Sequence, residues 1–314
     1  MSIKRSVQSY LKYCSLSGLS ERTIISYSDT LNQFIKFLSE NDYDVENDDI
    51  NAIDKMTLKT FVLTLQQRYA KSSVVTKYCC LTAFYSWLVD EMEYLDVNLA
   101  KAVKLKQGKE EKKQPVARID DVTKIFNEFE KVPVATRNYR YYRDKLALQI
   151  LYSCGVRVSE LTHLKYSDYN QDNQSFMVLG KGKKERYIYL SNPEILKTFE
   201  LYTELRDNSS DWLFPTPSGE ALGGGIISCA IKRWCKAAGV TTHLTPHSFR
   251  RGCATFMIEH DVDISKVKKV LGHSNIQTTM RYVSLCEKTV EDTMKNFNPM
   301  NYINKGDDVE TKVN

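Results

Sequence analysis

The chain has 314 residues, long enough for two domains that each bury a core. Hydrophobic residues make up 42% and charged residues 26%, which fits a globular protein and excludes a disordered or low-complexity one. The net charge of +5 leans toward a polyanionic partner; with no run near the roughly 20 apolar residues of a membrane span and no apolar leader after Met1, a cytoplasmic, nucleoid-associated protein without membrane contact is expected.

Residues 1–102 are predicted to form a helical domain. Val7, Tyr10, Leu11 and Cys14 recur at helical spacing. After a break at Ser17-Gly18-Leu-Ser20, with Ser20 as N-cap, Ile24, Tyr27, Leu31, Phe34, Phe37 and Leu38 repeat it. The acidic stretch at 40–49 reads as a loop. Leu58, Phe61, Val62 and Leu65 mark a third helix, and Val74, Tyr78, Leu81, Phe84, Tyr85 and Leu88 a fourth. These stripes are core, which leaves polar residues between them, Arg22, Lys71, Ser73 and Lys77, as the candidates for outside contacts. Residues 103–115 are rich in lysine, poor in apolar side chains and closed by Pro115, so they read as a basic linker. Laid along phosphates, each lysine would release a counterion.

A second domain is expected over 116–298, with a disordered tail at 299–314. Its first helix is capped near Asp120 and carries Val122, Ile125, Phe126 and Phe129; another covers 139–153. A single β signal, Phe176 to Leu179 and Arg186 to Leu190 about a Gly180-Lys-Gly turn, predicts a hairpin. Helical patterns follow at 193–206, 225–238, 247–259, 263–270, 275–284 and 287–296. The fold class is therefore mainly α, a helical N-terminal domain followed by a mostly α domain with a small antiparallel sheet. The eight cysteines form no Cys-x-x-Cys pair, no zinc site is expected, and Cys79, Cys80 and Cys229 in particular read as small buried hydrophobes.

The chemistry is concentrated in four boxes. Gly155-Val156-Arg157 leads to Glu160; Gly180-Lys181-Gly182 heads a basic turn with Lys183 and Lys184; His247-Ser-Phe-Arg250-Arg251 opens a helix after Thr245-Pro246; Leu271-Gly272-His273 precedes Thr278-Thr279-Met-Arg-Tyr282. A phosphodiester repels nucleophiles, so it needs cations on its oxygens, an activated attacking group and a proton for the leaving oxygen. No carboxylate cluster suits magnesium, so no metal and no cofactor are expected. Arg157 and Arg250 are the candidate clamps, their planar forks suiting phosphate oxygens. Glu160, three residues beyond Arg157, can hold that guanidinium on the same helical face. His247 and His273 can move a proton near neutral pH. Lys181 at a hairpin tip can protonate a 5′-oxygen. Tyr282 is the candidate nucleophile, because a phosphotyrosine ester conserves the bond energy for rejoining.

These boxes resemble the tyrosine recombinase (integrase) family, which includes phage integrases and Xer-type resolvases, and the resemblance covers essentially the whole chain. It implies that residues 1–102 are a core-binding domain and residues 116–298 the catalytic domain, the two closing as a clamp on double-stranded DNA with the linker along its backbone. It implies that Arg157, Lys181, His247, Arg250 and His273 activate the phosphate and that Tyr282 attacks it. A 3′-phosphotyrosine and a free 5′-hydroxyl follow, with four protomers exchanging strands of two duplexes at specific inverted-repeat sites through a Holliday junction. The helix at 287–296 would dock into a neighbouring protomer. DNA contacts are expected from Arg22, Lys71, Ser73, Lys77, Lys183, Lys184 and Arg251. Two positions depart from the pattern: Arg251 and Ser284 stand where the family often has histidine. Two other outcomes share the residues, a type IB topoisomerase-like nicking-closing enzyme and a DNA-binding protein without catalysis; the filled catalytic positions argue against the second. The chain's size favours a Xer-like or mobile-element recombinase over a lambda-type integrase.

Overall fold

The computed structural model describes residues 1–103, 114–180, 185–206, 209–283 and 285–286. The linker's central residues 104–113, Lys181, Lys183 and Lys184, Ser284, the predicted helix at 287–296 and the tail lie outside them. The chain divides into two compact units, Met1–Glu111 and Lys112–Asn314.

Four helices build the first unit: α1 (Ile3–Leu16), α2 (Glu21–Ser39), α3 (Lys55–Arg68) and α4 (Lys71–Asp90). Short polar residues start them. The Ser20 hydroxyl accepts from the Thr23 amide at 3.2 Å, and the Asp54 carboxylate from the Thr57 amide at 2.7 Å, each capping a first-turn N–H. The apolar stripes meet in one core around Leu31, Phe34, Phe84, Tyr85 and Leu88. Tilted ring pairs, Tyr10 on Phe84 at 5.3 Å and Phe34 on Phe61 at 5.0 Å, tie the helices together.

The second unit runs α5 (Ile119–Glu130), α6 (Tyr139–Ser153), α7 (Val158–Thr162), β1 (Tyr169–Asn170), β2 (Ser175–Leu179), β3 (Glu185–Tyr189), α8 (Pro193–Leu205), α9 (Gly224–Ala237), α10 (Pro246–Glu259), α11 (Ile264–Leu271) and α12 (Ile276–Val283). The sheet is antiparallel in the order β1-β2-β3, with Phe176 opposite Ile188 and Val178 opposite Arg186. The predicted hairpin is present; β1, only two residues long, is too short to show an alternation. At the centre lies α6, buried from Tyr141 to Leu151, charges included. Asp144 is neutralised by Arg143 at 2.8 Å and by Arg233 of α9, while Lys145 pairs with Glu130 of α5 at 2.6 Å. A buried helix can carry such charges only when each has a partner.

Two sequence expectations fail. Helix α5 is not capped by Asp120: Arg118 holds the N-cap position without a side-chain cap bond, and Asp120 and Asp121 sit in the first turn, facing the positive end of the helix dipole. Nor are all the cysteines buried. Cys14, Cys80, Cys154, Cys235 and Cys253 are, but Cys79 and Cys229 are exposed. Adjacent helical residues point about 100° apart, so Cys79 and Cys80 cannot both face the core. Likewise Cys229 falls off the α9 stripe of Ile227, Ala230 and Ile231. No described helix is long and apolar enough to cross a membrane.

Candidate active site

The second unit gathers residues from α7, β3, α10, α11 and α12 around one carboxylate. Gly155 begins the arrangement. Its φ of +58° turns the chain where a Cβ would lie 2.7 Å from the Leu271 side chain, so any other residue is strained there. That turn delivers Arg157 to the N-cap position of α7, where its amide donates to Glu160 Oε2 at 2.8 Å and its Nη1 to Oε1 at 2.6 Å.

Glu160 is buried, with a side-chain exposure of 5%, and serves more than one arginine. Arg186 of β3 grips both its oxygens, Nη1 to Oε1 at 3.0 Å and Nη2 to Oε2 at 2.7 Å, and spends its Nε on the Val270 carbonyl at 3.1 Å. Arg250 comes within 4.0 Å of the same carboxylate. Burial alone would raise the Glu160 pKa, but the Arg186 fork and the Arg157 amide and guanidinium outweigh it and hold the carboxyl at about 2. The group is an anion at any physiological pH, and it fixes the cations around it.

Arg250 is the deepest of these cations, 2% exposed in the first turns of α10. Its Nη1 donates to the Gly155 carbonyl at 2.6 Å and its Nη2 to the Leu271 carbonyl at 2.8 Å, which locks the guanidinium plane between two backbone segments. Helix α10 starts with the expected chemistry: Thr245 caps it, Ser248 returns the bond to the Thr245 amide at 3.1 Å, and Pro246 occupies the first turn. His247 therefore stands exposed beside Arg250. Partial burial, then the charges of Arg251, Arg250 and Arg157, lower its pKa below the ordinary 6.5, so the imidazole is neutral at pH 7.

Helix α11 ends at Gly272 in the left-handed conformation, φ +66°. A Cβ there would meet the Arg186 side chain at 2.9 Å, so Arg186 lies against a position that favours glycine both by its φ and by its space. The next residue, His273, is buried, its Nδ1 bonded to the Thr279 hydroxyl of α12 at 2.9 Å. Burial and the three arginines Arg250, Arg157 and Arg186 push its pKa down to about 4. Its ring stacks on Tyr282, with centroids 5.9 Å apart and planes 22° apart. Tyr282 also packs on the small cluster of Ala254, Val267 and Leu271.

Of the residues singled out from sequence, Arg157, Glu160, His247, Arg250, His273 and Tyr282 come together. Lys181, Lys183 and Lys184 lie outside the described residues. Arg251 turns inward with its Nε on the Pro115 carbonyl at 2.8 Å, which engages part of the side chain that was expected to contact DNA. In the first unit Arg22, Lys71 and Ser73 are exposed, and the Lys77 ammonium lies over the Tyr69 ring at 4.8 Å. Arg186 was missed. A basic residue two positions after a run of lysines looks like more of the same, and its partners are 26 and 84 positions away. Its place alternating inward on the predicted strand was the one available signal. Among the described residues, no group of three His, Cys, Asp or Glu side chains could hold a metal ion.

Comparison with known proteins gives a consistent result. Residues 96–288 match the phage integrase family, and residues 7–93 match the phage integrase N-terminal SAM-like domain. A tyrosine recombinase of Agathobacter rectalis is 30% identical over 312 residues, covering 93% of this chain and 96% of that protein. Among solved structures, the XerH site-specific recombinase in a post-cleavage complex with palindromic difH substrate superposes with a TM-score of 0.71. It is 19% identical, over 94% of this chain and 84% of that one. A lambda integrase tetramer bound to a Holliday junction gives 0.68 at 18% identity, over 88% and 78% of the two chains.

Proposed function

The chain belongs to the phage integrase family of tyrosine recombinases, and from that membership we propose that it cleaves and rejoins duplex DNA at specific sites with Tyr282 as nucleophile. The Tyr282 hydroxyl oxygen attacks the scissile phosphorus, a 3′-phosphotyrosine bond forms, and the bond to the 5′-oxygen breaks. The phenolic proton passes to neutral His247, and Lys181 delivers a proton to the departing 5′-oxygen. Arg157 and Arg250 hold the non-bridging oxygens, and His273 hydrogen-bonds to the phosphate. With two fixed arginines on the charge that develops, the step calls for no metal ion and no cofactor.

The observation that carries this reading is Arg250, a buried guanidinium held by the Gly155 and Leu271 carbonyls beside the stacked His273–Tyr282 pair. A cation fixed before substrate arrives costs no reorganisation when charge builds on the phosphate. Because a tyrosine ester keeps the energy of the broken bond, the 5′-hydroxyl of a second strand can reverse the attack. We propose that four protomers carry out this exchange on two duplexes through a Holliday junction, the segment 287–296 docking into a neighbour. The chain's Arg22, Lys71, Ser73, Lys77, Lys183, Lys184 and basic 103–115 segment supply the salt-dependent phosphate contacts.

Covalent trapping tests the chemistry. The protein is mixed with a nicked duplex recovered from a random-sequence pool by binding, then denatured. An adduct that disappears in Tyr282→Phe, with duplex binding retained, is the expected result. An adduct that persists in the variant refutes the assignment of Tyr282; tight binding with no adduct from either protein refutes the catalytic reading.

A further inference from the structure

Residues 115–118 lead into α5 and are stitched along α10, the helix that carries His247 and Arg250. Arg251 Nε donates to the Pro115 carbonyl, and the Ala117 amide donates to the Ser248 carbonyl at 3.0 Å. The approach is so close that a Cβ on Gly252 would fall on the Ala117 carbonyl oxygen. The last of these residues, Arg118, reaches across to both Glu259 and Leu285. Its Nη1 donates to Glu259 at the end of α10 at 2.7 Å, and its Nη2 to the backbone carbonyl of Leu285 at 2.8 Å.

Leu285 lies three residues beyond Tyr282 and is joined to it directly, its amide donating to the Tyr282 carbonyl at 3.0 Å. The Cys286 amide adds a bond to the Val283 carbonyl at 3.2 Å, so α12 ends in a closed turn whose outer edge is held by Arg118. That hold matters because α12 is poorly anchored by burial. Thr279 is its one buried residue, while Ile276, Met280 and Val283 are all exposed. An eight-residue helix whose apolar cover is mainly Tyr282 on Ala254, Val267 and Leu271 owes its position to directed bonds as well as to packing.

We infer that Arg118 is a positioning residue for the nucleophile: it spans from Glu259 to the Leu285 carbonyl and fixes the Tyr282 turn on α10. This inference rests on the reading of Tyr282 given above. An ordinary surface ion pair of Arg118 with Glu259 would contribute little. What sets it apart is the second arm, which no shorter or single-pointed cation reproduces in full.

The test uses Arg118→Ala and Arg118→Lys in the full chain. In the free protein, hydrogen exchange at the Leu285 and Cys286 amides should quicken by at least about tenfold in Arg118→Ala, while α10 amides and the thermal midpoint hold, the latter within about 2 °C. With saturating nicked duplex from the binding-selected pool, single-turnover adduct formation should slow by about tenfold to a hundredfold. The half-saturating duplex concentration should stay within about twofold of wild type, and Arg118→Lys should recover part of the rate. Unchanged exchange at Leu285 and Cys286 overturns the tether whether or not the protein cleaves DNA. A rate within about twofold of wild type overturns the positioning role, as does a loss shared by affinity and midpoint without recovery by lysine. Wild type that binds duplex and forms no adduct counts against the recombinase reading, and the exchange measurement then decides the tether alone.

Discussion

Replacing Glu160 with glutamine removes one charge and little volume, and its cost can be worked from the contacts. The carboxylate neutralises Arg157 and Arg186 directly and lies 4.0 Å from Arg250. Its pKa is held at about 2 against an ordinary 4.5. A depression of that size corresponds to about 3 kcal/mol of stability at neutral pH. The cost of leaving buried partners unpaired, about 3–5 kcal/mol, points the same way. The sign follows from the direction of the shift: a folded-state pKa below the unfolded one adds stability that is complete above pH 4.5 and is lost as pH falls through about 2. The gap between wild type and Glu160→Gln should therefore shrink from about 3 kcal/mol at neutral pH to roughly 1 kcal/mol near pH 3. Urea unfolding followed by Trp212 and Trp234 fluorescence, in a Trp87→Phe background so that only the second unit reports, measures it. A gap that stays constant with pH, or one below about 1 kcal/mol at neutral pH, would show that Glu160 is not the anion the arginines depend on.

Other perturbations probe the remaining parts of the site. Arg250→Lys cannot reach both the Gly155 and Leu271 carbonyls, and adduct formation should fall by about a hundredfold or more while the fold persists. Arg186→Lys should slow cleavage by about tenfold with duplex affinity retained, since one ammonium cannot hold two Glu160 oxygens and the Val270 carbonyl. Gly155→Ala combines a left-handed φ with a clash on Leu271 and should cost about 2–4 kcal/mol in a thermal or urea melt of the second unit. The pH profile of adduct formation should have its acid limb below 6.5, because His247 must be neutral to take the phenolic proton and its pKa is lowered; His247→Gln should be slow throughout and lose that limb.

What could be read from the chain alone follows from the range of the interactions. Apolar periodicity is a local property, so the helices other than the five-residue α7 were visible in the spacing of residues such as Leu31, Phe34 and Leu38. The residue types of the candidate site were visible too, because Arg157 with Glu160, and His247 with Arg250, are near neighbours in sequence. What escaped were contacts that only the folded topology creates. Arg186 meets Glu160 across 26 residues and Arg118 meets Leu285 across 167. The burial of Arg143, Asp144 and Lys145 within α6 was equally hidden, since a charged triplet reads as a surface unless Arg233 and Glu130 are already known to face it. The exposed Cys79 shows the converse: residue type suggested burial, and the helical phase set by its neighbour Cys80 decided otherwise.

The contact between Arg186 and Gly272 bears on how such a protein can be re-engineered. The hairpin of β2 and β3 looks like a portable module, a pair of five-residue strands that could be exchanged to alter what its tip reaches. It is not portable by itself, because β3 carries a side chain that occupies the space a Cβ at 272 would need and that closes on a carboxylate of α7. A chimaera must bring positions 160, 186 and 272 from one parent; a donor hairpin set against any larger residue at 272 would displace the arginine and, with it, the anion that aligns Arg157.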